Sequence, residues 1–281
     1  MISLAERIRA ALGTTSQRWY AGLAPSLAAC AWADLAAIGL DAENYGVVRV
    51  LEANPAASRH SAVLSGLDWG HPVRLELFDE NLQRHYQALN LRAPTSSFSA
   101  AAFEADLADA MSLLDRVGQV GATVRALVWS ITPLDVNGPD FDTGFSDPKV
   151  PFSIFIGAHA PEHHISPLRL AEGVLHEALH LQLSLIEAIT QLVQGRDYQH
   201  QSPWQGRPRP TQGLLHGLYV FRTVQDFLRS LIELGNLQPN DLAHAEERIR
   251  QIEFECSELS VMTASVDLTV DGRQLVERLV S

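Results

Sequence analysis

Leu175-His176-Glu177-Ala178-Leu179-His180 is the stretch from which the rest of the chain is best read. On an α-helix, residues four apart stand one above the other, so His176 and His180 can aim two imidazoles at one ion, with Glu177 beside it. The neighbouring residues support a helix here. Ser166 and Pro167 make an N-cap and a first helical position, and Leu168, Ala171, Leu175, Leu179 and Leu183 form an apolar stripe running toward a stop near Gly195. A glutamate between two stacked histidines on such a helix costs desolvation unless a cation answers it. The competing reading is a pair of ordinary histidines, each satisfied by a carbonyl or water.

Outward from this helix, the totals narrow the function classes. The 281 residues can bury a sizeable core, and 21 basic against 33 acidic residues leave a formal charge of −12, which argues against a nucleic-acid partner. The sequence contains no run long and apolar enough to suggest a membrane span, and its first residues are amphipathic rather than signal-like. Cys30 and Cys256 fall in apolar helical patterns and are expected to be buried thiols. The expected location is cytoplasmic.

The expected fold is mainly α with a small β-sheet, an α+β arrangement of a helical region at 1–118 and a zincin-like metal-binding domain at 119–281. Helical spacing is read at 4–12, 23–38, 42–52, 58–67, 75–89 and 100–117, between breaks such as Gly70-His71-Pro72. His60, His71 and His85 in this half read as ordinary surface or cap residues. The β-branched and aromatic runs at 123–131 and 150–156 predict two strands, separated by an Asp/Gly/Pro-rich connection. Later helices are expected at 211–234 and 240–261, with a turn and helix over 268–279. His159, His163 and His164 read as loop histidines.

Two imidazoles do not complete a divalent-metal site, which takes at least three protein ligands. His216 is the preferred third, because it falls in the first turns of a helix between Gly213 and Gly217, which leave room for close approach. Glu187, expected to face another way on the first helix, and Asp226 and Glu233 on the second compete with it. In Gly206-Arg207-Pro208-Arg209-Pro210, prolines stiffen the backbone around two guanidinium groups suited to gripping a carboxylate.

Taken together, the blocks at 173–180, Ser202-Pro203-Trp204, Arg207-Pro208-Arg209-Pro210 and Gly213-Leu214-Leu215-His216-Gly217-Leu218-Tyr219-Val220-Phe221 resemble a bacterial family of His-Glu-x-x-His peptide-modification proteins. Those proteins are iron- and 2-oxoglutarate-dependent β-hydroxylases of ribosomally made precursor peptides. The resemblance covers roughly residues 151–221. It implies that His176, His180 and His216 hold Fe(II), that Arg209, with Arg207 as a second candidate, binds 2-oxoglutarate, and that Glu177 orients substrate. A precursor peptide is the implied partner. The alternative is a zinc metallopeptidase in which Glu177 is the general base. The paired Arg-Pro block favours the hydroxylase, since a peptidase needs no such clamp.

Overall fold

A computed structural model describes residues 2–14, 20–67, 69–89, 91–94, 98–135, 144–158, 166–195 and 198–281. His159, His163 and His164 lie outside the described residues. In chain order the first elements are α1 (Leu4–Thr14), α2 (Ala24–Ala37), α3 (Val47–Leu51), β1 (Ser61–Leu64), β2 (Val73–Glu76), α4 (Glu80–Tyr86), α5 (Ala100–Asp115), α6 (Val120–Leu127), β3 (Ser130–Leu134), β4 (Gly144–Phe145) and β5 (Ser153–Gly157). They are followed by α7 (Pro167–Ile189), β6 (Gln199–Gln201), β7 (Pro208–Pro210), α8 (Thr211–Leu234), α9 (Pro239–Ser257) and α10 (Val270–Val280). The fold is α+β. No helix among the described residues is long and apolar enough to cross a membrane.

The chain divides into two compact units, residues 24–181 and residues 1–23 with 182–281, and α7 starts in one and ends in the other. In the first unit a five-stranded sheet runs in the order β1-β2-β3-β5-β4. Strands β2, β3 and β5 are parallel, while β1 and β4 close the two edges antiparallel. Every residue of the three parallel strands is buried, as parallel strands covered on both faces require. Phe152, just before β5, takes a left-handed backbone with φ of 71°. Its carbonyl accepts from the amides of Trp129 and Ser130 at 2.8 and 3.0 Å, and its ring stacks on Trp32 at 4.4 Å. A charged core lies beside this aromatic one. Buried Glu76 accepts from the Val47 amide, while Arg74 and Arg59 donate to the carbonyls of the 42–45 segment.

The second unit is built on α8, a helix with buried positions on nearly every side, packed against α9 and α10. Hydrogen bonds tie part of its polar core together. The Tyr219 hydroxyl donates to Gln182 at 2.6 Å, Gln182 donates to the Tyr20 carbonyl at 2.9 Å, and buried Arg222 donates to the Leu279 carbonyl at 2.8 Å. Arg278 closes the unit by donating to the Ala11 and Leu12 carbonyls at the end of α1.

Four sequence expectations are corrected by the structure. Residues 61–64, expected to be helical, form edge strand β1, and the helix read at 75–89 is strand β2 followed by α4, which Asp79 caps through the amides of Asn81 and Leu82. The region expected to be helical up to residue 118 therefore supplies two strands to the sheet. Residues 123–127, expected in a strand, belong to α6. Val120, Val124 and Leu127 are all buried, a helical spacing that outweighs the β-branched composition. Cys30 is exposed rather than buried; Cys256 is buried, and both are free.

Candidate active site

Ser166 caps α7 as its sequence suggests, its hydroxyl accepting from the Arg169 amide at 3.2 Å. Along this helix the Nε2 atoms of His176 and His180 stand 3.2 Å apart, with the two rings inclined at 69°. Two nitrogens each about 2.1 Å from one ion, subtending about 100° at it, lie about 3.2 Å apart. The pair thus fits two positions in the coordination sphere of a single transition-metal ion. Among the described residues, no group of three or more His, Cys, Asp or Glu side chains is gathered as a metal site.

Glu177 is buried, with Oε1 4.0 Å from His176 Nε2. Its carboxyl group lies against Gly144 in edge strand β4, where a Cβ would collide with Oε1. Burial pushes this carboxyl up to about 8, and a hydrogen bond with Ser146 pulls in the opposite direction. Such a group is mostly protonated at neutral pH, and a cation held by His176 and His180 would draw it toward ionisation. The sequence reading missed both Gly144 and Ser146. They lie at the end of the Asp/Gly/Pro-rich connection, where no periodic pattern marks them.

Glu187 was expected to face away from the two histidines. Seven residues turn a helix through about 700°, only about 20° short of two full turns, so Glu187 continues the stripe that carries His180. Its Oε2 is 2.8 Å from His216 Nε2, and Gln212 Nε2 donates to the same oxygen at 3.2 Å. The side chains of His216 and Glu187 are 13% and 14% exposed, partly shielded from water. A carboxylate on one ring nitrogen fixes which tautomer the imidazole adopts, the usual role of a partner behind a catalytic or metal-bound histidine. Of the competing ligands on α8, Asp226 is half-buried and Glu233 is exposed.

Gly213 and Gly217 bracket His216 for a reason visible only in three dimensions. Strands β6 and β7 form a hairpin whose turn is tied by Ser202, its amide donating to the Arg207 carbonyl at 2.9 Å and its carbonyl accepting from the Gly206 amide at 2.9 Å. From this hairpin Trp204 lies flat over Gly217, where a Cβ would come within 2.8 Å of Cε3 and 3.0 Å of Cη2, and its ring tilts against Phe221 at 4.8 Å. Arg209 lies over Gly213, where a Cβ would meet Nη2 at 2.8 Å and Nε at 3.0 Å. The two glycines make room for these side chains. Arg207 is exposed and donates within its own turn to Gln205 at 3.1 Å, so it does not lie over Gly213 as Arg209 does.

Comparison with protein-family models gives no match, and no curated protein matches the chain by sequence.

Proposed function

We propose that the protein is an Fe(II)- and 2-oxoglutarate-dependent hydroxylase that acts on a side-chain β-carbon of a ribosomally made precursor peptide. In this reading His176 and His180 hold the metal, with His216 as the third ligand taken from the sequence pattern. The Nε2 atom of His216 bonds to Glu187, so Glu187 would fix the tautomer of that imidazole. When bound, Fe(II) and the 2-oxo acid would supply the oxidising chemistry, and the chain's own residues would orient the reactants and exclude water.

The observation that carries the proposal is Arg209, half-buried and laid over the first turn of the helix that bears His216. It would grip the carboxylate of the cosubstrate farther from the metal, since a planar guanidinium can donate two parallel hydrogen bonds to one carboxylate. Glu177, buried beside His176, would face substrate rather than serve as a base. The proposal is tested by anaerobic addition of Fe(II) and then 2-oxoglutarate to the purified protein. The expected result is a visible charge-transfer band that needs both additions, followed by succinate formation on exposure to air. With neither band nor succinate, the hydroxylase reading is wrong.

A zinc metallopeptidase is the second reading, favoured by the 4.0 Å separation of Glu177 Oε1 from His176 Nε2 and by the position of Glu177 against an edge strand. There Glu177 would take a proton from the attacking water. Peptide cleavage with Zn(II), abolished by Glu177→Gln and unaffected by 2-oxoglutarate, is the result expected of it.

A further inference from the structure

We propose that the β6–β7 hairpin is a two-sided carboxylate clamp in which His200, a residue outside the sequence motifs, binds the same carboxylate as Arg209. The inference deepens the hydroxylase reading and rests on it for the identity of the ligand, a small 2-oxo dicarboxylic acid. Strand register pairs His200 directly with Arg209. In an antiparallel ladder, directly opposed residues project from the same face with Cβ atoms about 5 Å apart. The imidazole and the guanidinium are therefore neighbours on one side of the hairpin.

Among the described residues, neither side-chain group has a hydrogen-bond partner. Nε2 of His200 is buried and has no hydrogen-bond partner among the described residues, although the ring is fixed edge-on against Tyr198 at 4.2 Å. Arg209 is half-buried, and its side chain forms no hydrogen bond or ion pair among the described residues. A buried imidazole nitrogen without a partner, beside a half-buried guanidinium, is costly, and no side chain among the described residues supplies that partner. The missing partner is thus an anion, and a carboxylate can accept from the guanidinium and from an Nε2–H at once. Strand β7 leads straight into α8, whose N-cap Pro210 offers no side-chain acceptor to the first-turn amides, so the helix end adds a favourable field for negative charge.

The test measures binding of three ligands to the full chain by calorimetry. They are 2-oxoglutarate, glutarate, which keeps both carboxylates but lacks the keto group, and 2-oxovalerate, which keeps the keto acid but lacks the distal carboxylate. Wild-type protein should bind both dicarboxylates. His200→Phe keeps the ring packing on Tyr198 and should weaken both by about tenfold, leaving 2-oxovalerate unchanged. His200→Gln restores a donor and should recover part of the loss, while Arg209→Gln should lose more than His200→Phe. Failure of wild-type protein to bind glutarate, or equal glutarate affinity in wild type and in both His200 variants, overturns the clamp. The wild-type arm and the His200→Gln arm decide the matter even if His200→Phe folds poorly. Glutarate binding that depends on His200, without succinate formation from 2-oxoglutarate and Fe(II), would leave the clamp standing and remove the hydroxylase reading; succinate formation with His200-independent binding would do the reverse.

Discussion

Replacing Gly217 by alanine should destabilise the protein, although alanine is the better helix former. The ring of Trp204 covers Gly217, and an added Cβ would overlap three of its atoms, with Cε3 at 2.8 Å and Cη2 at 3.0 Å. The ring is planar and is backed by Phe221 at 4.8 Å, so it cannot yield as a flexible chain end could. Overpacking of this kind costs about 1–3 kcal/mol, against a helix-propensity gain of about 1 kcal/mol. Gly173 on α7 is the control, because no heavy atom among the described residues comes within 4 Å of its missing Cβ. Gly173→Ala should therefore stabilise by about 1 kcal/mol. The propensity gain cancels between the two variants, so their difference measures the steric term alone, about 1–3 kcal/mol. Urea denaturation followed by far-ultraviolet circular dichroism gives each value. A double-mutant cycle isolates the contact, since in a Trp204→Ala background Gly217→Ala should become stabilising. If Gly217→Ala stabilises as much as Gly173→Ala, or if its effect is unchanged by removing Trp204, then Trp204 does not rest on α8 as described.

Buried Glu76 makes stability depend on pH. Burial raises its carboxyl from 4.5 to about 7, with the Val47 amide, Ser130, Arg59 and Arg74 acting in the opposite direction. The folded state therefore keeps a proton that the unfolded chain loses above pH 4.5, and stability present in full below that pH is lost as pH rises through 7. That 4.5-to-7 window corresponds to a loss of about 3 kcal/mol. Glu76→Gln should flatten this part of the curve in chemical denaturation run at several pH values, and a parallel profile in both proteins would count against it. His180→Ala should sharply reduce bound Fe(II) or Zn(II), measured by elemental analysis after dialysis, while its circular dichroism remains that of wild type; retention of stoichiometric metal would remove the histidine pair from the site. Gly144→Ala should displace the Glu177 carboxyl from β4 and lower turnover at least tenfold, as misplacement of about 1 Å in a catalytic constellation does; wild-type turnover would show that this placement is irrelevant.

The helices were legible wherever their stabilisation is local. Thr211–Leu234 falls where its apolar spacing and the stop at Gly235 place it, and α7 begins with the cap that Ser166 and Pro167 announce. Where a segment is decided by what covers it, local composition misleads. Val120, Thr123 and Val124 favour strands by type, yet with Leu127 they form one buried face of a helix, and the short strands β1 and β2 carry too few residues to display an alternation of their own. The candidate site divides along the same line. The His176–His180 pair is a property of one helix and could be read from a spacing of four residues. The closeness of Arg209 to His200 depends on a hairpin of two three-residue strands, whose register no pattern in the chain specifies. Gly144, Gly213 and Gly217 act through the Cβ atoms they lack, so their partners Glu177, Arg209 and Trp204 are set by tertiary packing rather than by adjacency. This explains why the sequence points to His216 by its flanking glycines while leaving their purpose unread: the spacing that looks like room for a ligand is room for the hairpin, and through that hairpin Arg209 is held against the helix on which the histidine stands.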